Sequence, residues 1–351
     1  LALSAGVETG AFVPLRTSGG LDETWDLSRE QPNVVGGRVT FYLDPDGTRD
    51  LPAGEVLEAV RAGIASWGEV EHSALAFVED PTRPASNRRS GDRINSIRWT
   101  SGDLGPFVFG TTWPTYLSGH LVDADIIMNE DVRLNSTLSL QWSTQVPGGP
   151  RSADIHAVNT HEWCHAIGLD HEAIHGSTMY YAAYAGSTYF RTLHEDDRVA
   201  VRALYPAASA QRETAVIRGT ADVAGRANDR GVHVIAIDAD DGEIVTGRMS
   251  EPDGRYAIEG LPPGRYHLVA APFVELGTLN DYWGSSATRF LPSALTATGT
   301  NGEWARVLEV AGGEEIRGAD FLLDDVRDPA EPNDGPVSAW PLIVGDAIAA
   351  R

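Results

Sequence analysis

An α+β domain followed by an all-β domain is the fold class that the sequence predicts, on three observations. At 351 residues the chain is longer than the ~250–300 at which a single hydrophobic core usually stops growing, which favours two domains. Up to residue 206 helical and strand periodicities alternate; beyond it short strand-type runs follow one another with hardly any helical period. Hydrophobic residues make up 42% of the chain, enough to fill real cores.

In the first part, GRVTFYLDPDG alternates like a strand and ends in a turn signal at Asp46 and Gly47. The stretch PAGEVLEAVRAGIASWGEV then places Val56, Val60, Ile64 and Trp67 at helical spacing, so one long amphipathic helix is expected there. ALAFVED, RINSIRWT and VDADIIMNE are short runs of strand type. A second helix should start after Asp154 as N-cap, because Ile155, Val158, Glu162, His165 and Leu169 then share one side. HEDDRVAVRALY signals a third helix, which Pro206 stops.

PAASAQ, residues 206 to 211, is small and turn-prone and is expected to be a linker. Beyond it AVIRGTADV, GVHVIAIDAD, EIVTGRMS, GRYAIEG, GRYHLVAAP, EWARVLEV and GADFLLDDV are short strands punctuated by Gly, Pro and Asp. That texture predicts an antiparallel β-sandwich. The expected divisions are residues 1–33 as an N-terminal segment, 34–206 and 212–326 as domains, and 327–351 as an acidic Pro-rich linker or truncated further module.

Charge excludes whole classes of partner. With 27 basic and 50 acidic residues, a formal net of −23, the field repels nucleic acid and anionic membranes. No apolar run approaches the ~18 residues of a membrane span. The single cysteine, Cys164, rules out an intramolecular disulfide, as in a cytosolic protein or a bacterial secreted one. LALSAGVETGAF carries no basic region ahead of an apolar core, so a signal peptide is expected to have been removed or not included.

The chemistry concentrates in HEWCHAIGLDH, residues 161 to 171. His161 and His165, four apart on a helix, leave the same face one turn above the other, which lets two imidazoles meet one metal ion. Glu162 is rotated about 100° around the axis, badly placed as a ligand but well placed to take a proton from water near that ion. Gly168 allows the helix to stop and the chain to turn back, bringing His171 to the same point. Three imidazoles with one position left over form the open, catalytic arrangement of zinc.

HExxHxxGxxH followed by a methionine turn resembles the metzincin clan of zinc endopeptidases. Here HEWCHAIGLDH is followed by GSTMYY, which puts Met179 at the turn methionine. The short interval from His171 to Met179, and LHEDDRVAVRALYP with Asp196 and Asp197, are similar to the matrixins and their bacterial relatives. The resemblance spans roughly residues 34 to 206. It implies a twisted, mostly parallel sheet with long helices, Zn²⁺ held by His161, His165 and His171, Glu162 as general base, and Met179 as a hydrophobic floor.

Some positions depart from the matrixin pattern. Cys164 stands where matrixins usually carry glycine. Glu172 is more like the astacins, and Tyr181 lies where astacins and serralysins have a tyrosine that contacts zinc or steadies the transition state. The spaced histidines of a second, structural zinc site are not found; His120 with Asp123 and Asp125 is their nearest counterpart. His72, His156, His175, His194, His233 and His267 share no ligand spacing and are expected to be surface or capping residues. A propeptide thiol cannot block the site in cis, since residues 1 to 160 lack cysteine. Asp22 or Asp26 could do so by carboxylate, unless this segment is simply the start of the mature enzyme.

Residues from VIRGTADV to YHLVAAP resemble the carboxypeptidase regulatory-like, transthyretin-like domain. DGRYAIEGLPPGRYHLVA should be a hairpin, and DADDGE is either a solvated loop or a Ca²⁺ ligand set. EPND, residues 331 to 334, resembles the opening of pre-peptidase C-terminal domains. Together these readings imply a secreted bacterial zinc endopeptidase acting on protein or peptide substrates, with no partner identified for the β-sandwich. A substrate strand is expected to add to an edge strand in PFVFGTTW, residues 106 to 113. The rivals are a non-catalytic adhesin on the same scaffold, which has no need of Glu162, and a hydrolase of non-peptide substrates.

Overall fold

The computed structural model describes residues 12–16, 21–82, 91–172, 177–180, 183–223, 232–272, 296–298 and 307–323. Tyr181 and segment 327–351, with EPND, lie outside them. The chain divides into two compact units, Val13–His171 with Gly176–Ala210, and Gln211–Arg351 with Leu1–Phe12 and Glu172–His175. Among the described residues no helix is long and apolar enough to cross a membrane.

The first unit mixes helix and strand. In chain order it holds β1 (Val13–Pro14), β2 (Thr24–Trp25), β3 (Val34–Val35), β4 (Arg38–Leu43), α1 (Ala53–Gly68), β5 (Phe77–Glu79), β6 (Ser96–Thr100) and β7 (Gly110–Leu117). There follow β8 (His120–Asn129), β9 (Gln141–Ser143), β10 (Ser152–Asp154), α2 (Ile155–Ala166), β11 (Leu169–Asp170), a 3-10 turn at Tyr189–Arg191 and α3 (Glu195–Leu204). The main sheet runs β2-β8-β6-β4-β3, with β5 beside β4 and β7 beside β8. Its pairings are parallel except β3 with β4 and β7 with β8.

α1 buries Val56, Val60, Ile64 and Trp67, the residues its periodicity selects. It lies close on α2: a Cβ on Gly63 would come within 2.7 Å of the Asn159 amide nitrogen, so glycine is what lets the two helices approach. Trp67 Nε1 donates to Thr160 O at 2.9 Å and Asn159 Nδ2 to Val60 O at 3.0 Å. On another side of α2, Trp163 packs edge-on against Phe41 and Phe77 at 5.5 and 5.0 Å. The helix is thereby held against both α1 and the sheet.

The N-terminal stretch belongs to this unit well ahead of residue 34. β1 pairs antiparallel with β11, Leu15 N donates to Gly168 O at 2.8 Å, and Trp25 is buried. A pairing between residues so far apart leaves no trace in local periodicity. The edge strand also sits later than expected. It is β7, Gly110–Leu117, and residues 106–109 precede it with a turn in which Val108 N donates to Gly105 O.

The short α4 (Ala210–Glu213) leads into the second unit, whose remaining elements among the described residues are strands. They are β12 (Ala215–Val223), β13 (Val232–Asp238), β14 (Ile244–Met249), β15 (Arg255–Leu261), β16 (Gly264–Pro272), β17 (Thr296–Thr298), β18 (Leu308–Val310), β19 (Glu315–Arg317) and β20 (Asp320–Leu323). One sheet runs β15-β12-β20-β17 with β19 also on β12; the other runs β14-β13-β16-β18.

Two expectations are corrected here. The DGRYAIEGLPPGRYHLVA segment is not a paired hairpin, because β15 joins one sheet and β16 the other. Pro262 and Pro263 between them have no N–H to donate to a ladder, and the chain crosses at that point. Nor is the pairing wholly antiparallel, since β19 and β20 lie parallel to β12.

Candidate metal centre

α2 starts where Asp154 caps it, the carboxylate accepting from Ala157 N at 2.8 Å. Its far end is held as firmly, because the last carbonyls of a helix need donors from elsewhere. Trp25 Nε1 donates to Ala166 O at 2.8 Å and the Tyr205 hydroxyl to Ile167 O at 2.7 Å. Gly168 then takes φ +96°, and a Cβ there would sit 2.3 Å from Glu23 O. The chain turns back into β11 and delivers His171.

The three histidines come together as their spacing suggests. One ring nitrogen from each lies within 4.8 Å of those of the other two. His161 Nδ1 is 2.6 Å from Thr178 O, and His165 Nδ1 is 2.8 Å from Leu169 O. A carbonyl only accepts, so both Nδ1 atoms carry the proton and both Nε2 lone pairs face inward. His161 Nε2 and His171 Nε2 approach to 3.1 Å. Two nitrogens bound at about 2.1 Å to one tetrahedral ion stand about 3.4 Å apart. The donor set therefore fits a zinc ion.

Electrostatics favour the same state. Burial pushes the His161 imidazole down to about 3, with His171 adding to the effect and the Thr178 bond opposing it. Burial also holds His165 well below the ordinary range and lowers His171 against the pull of Asp170. Each shift favours the neutral ring, the form of an imidazole that can bind a metal.

Glu162 is buried beside them, and burial raises its carboxyl to about 7 against the lowering effect of the Thr112 hydrogen bond. A cavity of about 630 Å³ opens onto Glu162 and the histidines, walled by Phe107, Gly110 and Thr112 on one side and by Val158 and Phe190 on another. The Phe190 ring stacks on His161 at 5.7 Å.

Met179 is buried, and Thr178 before it links two elements. Thr178 O holds His161, while Thr178 N donates to Asp197 Oδ2 at 3.1 Å. The same oxygen accepts from His194 N, and His194 Nδ1 accepts from Asp196 N, a capping box at the start of α3. Of the paired aspartates, Asp197 thus reaches the site through a backbone. Gly110 and Thr112 lie in the stretch expected to receive substrate, but their approach to Glu162 was not foreseen from sequence, nor was Phe190.

Asp22 and Asp26 are not brought to the histidines. Asp22 pairs with Arg16 at 2.7 Å and Asp26 accepts from Ser28 N and Oγ, and neither lines the cavity. His120 is exposed, whereas Asp123 and Asp125 converge with Asp92. Three of their oxygens face donors: Asp123 accepts from Gly91 N and Asn33 Nδ2, and Asp125 Oδ1 from Ser96 N and Oγ, while Asp125 Oδ2 is buried with no hydrogen-bond partner among the described residues. That is a clasp between the start of β6 and β8. In DADDGE, Asp238 and Asp241 accept from Asp240 N and Glu243 N, and Asp240 pairs with Arg265. Its carboxylates are occupied by donors and do not converge as a cation site. His194 is a cap as expected; His233 is instead fully buried on β13.

Comparison with protein families agrees with this geometry. The matrixin family model matches residues 28–206, just over half of the chain. The chain belongs to the matrixin family. Membership of the matrixins supports a zinc metallopeptidase-like function with protein or peptide substrates. No curated protein matches the matrixin chain.

Proposed function

We propose that the protein is a secreted bacterial zinc endopeptidase that hydrolyses peptide bonds with Glu162 as general base. The observation that carries this reading is the convergence of one ring nitrogen from each of three histidines next to a buried carboxyl in an open cavity. His161, His165 and His171 would hold the metal, which when bound supplies Lewis acidity toward the scissile carbonyl.

The chain's own residues do the rest. Glu162 accepts a proton from the attacking water as the new C–O bond forms, and returns it to the leaving nitrogen as the C–N bond breaks. A carboxyl pushed to about 7 by burial is matched to both duties near neutral pH. β7 lies on the sheet edge, and a substrate strand would add to it antiparallel, its main chain held by ladder hydrogen bonds. Met179 would floor the site and Tyr181 would donate to the developing oxyanion. The two sheets of the second unit would form a β-sandwich of the carboxypeptidase regulatory-like type.

Glu162→Gln tests the reading. The variant should bind one zinc per chain as the parent does, and lose several orders of magnitude in peptide hydrolysis, since base and metal act as a unit. Chelation should abolish the parent's activity. A Glu162→Gln enzyme that cleaves like the parent would remove Glu162 from the mechanism.

A further inference from the structure

We propose that Thr112 is a positioning residue for Glu162: its hydroxyl latches one carboxyl oxygen so that the other is the one presented to water. This rests on the reading of Glu162 as the base. Thr112 Oγ1 lies 2.7 Å from Glu162 Oε2 and 2.8 Å from the Glu162 carbonyl oxygen. A hydroxyl has a single proton, and both neighbours accept. While Glu162 is ionised the proton belongs on Oε2, where the charge makes the stronger bond.

Gly110 provides the space. A Cβ at that position would lie 3.0 Å from Oε1, 3.1 Å from Cγ and 3.2 Å from Cδ of Glu162. Gly110 and Thr112 are alternate residues of β7, so they face the same side of the strand, and here that side is α2. The first three residues of the edge strand thus supply both the room for the base and its latch. A carboxylate free to rotate about its last bond would present either oxygen at either angle. Fixing one oxygen removes that freedom before the reaction begins.

The test pairs Thr112→Val, which removes the hydroxyl at nearly constant shape, with Thr112→Ser, which keeps it. Thr112→Val should lose about tenfold to a hundredfold in kcat, the range for a hydrogen bond to a charged group, with KM and zinc content unchanged. Thr112→Ser should turn over like the parent. Zinc content and KM are read beside kcat in both variants, so that a loss confined to kcat separates a misplaced base from a lost metal or a weakened substrate site. A Thr112→Val enzyme as fast as the parent, beside an inactive Glu162→Gln enzyme, overturns the latch and leaves the base standing. Equal losses in the Val and Ser variants, or a loss of zinc or a raised KM in the Val variant, also overturn it. An active Glu162→Gln enzyme overturns latch and base together.

Discussion

His161 and His171 stand ten positions apart in the chain, and their Nε2 atoms are 3.1 Å apart. A continued helix would separate those rings by about 15 Å along its axis. What closes the distance is Gly168, whose positive φ ends α2 and sends the chain back along β1. The meeting of the three histidines is therefore set as much by a backbone turn as by helical spacing.

Gly168→Ala should then damage stability and metal binding together. Backbone strain alone is worth about 1–3 kcal/mol, and the added Cβ would meet Glu23 O at 2.3 Å, a backbone atom that cannot swing aside. Leu169 O, which orients His165, and His171 both lie just beyond the turn. Thermal midpoint and zinc stoichiometry of the variant check this. Unchanged values for both would show that the turn tolerates a side chain and that the argument from φ is wrong.

Asp154 has two duties at the other end of α2. It caps Ala157 N, and it holds Arg191 through Oδ1 to Nε at 2.9 Å and Oδ2 to Nη2 at 2.6 Å. Arg191 follows Phe190, the ring stacked on His161. Asp154→Ala strands a guanidinium that is only 20% exposed and removes the cap as well. Breaking a buried pair by losing one partner costs about 3–5 kcal/mol. Asp154→Asn keeps a capping oxygen and should fall between parent and Ala in denaturant unfolding. If Asn and Ala are equally destabilised, the cap contributes nothing measurable.

The convergence of His161, His165 and His171 beside Glu162 was legible because all of them, with the turn glycine, lie within eleven consecutive residues, where helical spacing and one turn translate directly into direction. The Asp154 cap and the buried face of α1 were legible for the same reason. Thr112 and Gly110 were not, although they touch Glu162, because they reach it across the fold from a strand 50 residues away. Phe190 against His161 is of the same kind. Strand order also escaped: β15 and β16 look like one hairpin in sequence and part into two sheets, since local alternation says where a strand is and nothing about its neighbour. Asp123 and Asp125 stood out as carboxylates, but their partner Asp92 and the donors that clasp them come from other segments.

His233 gives the second unit a pH dependence of its own. It is fully buried on β13, and burial drives its imidazole down to about 3 from an ordinary 6.5. Above pH 6.5 the ring is neutral in both the folded and the unfolded chain, and it contributes nothing to the slope. As pH falls from 6.5 toward 3 only the unfolded chain takes up the proton, so stability declines throughout that window and levels off below it. One proton bound only in the unfolded state corresponds to about 1.4 kcal/mol per pH unit. His233→Gln has no such proton. Other titrating groups cancel when parent and variant are compared at each pH, so the informative quantity is the difference in unfolding free energy between them. That difference should shift in favour of the variant by about 1.4 kcal/mol for each unit below about pH 6, whatever its value at neutrality. Parallel curves for parent and variant would mean that His233 takes up its proton as readily folded as unfolded, and that its burial does not govern its charge.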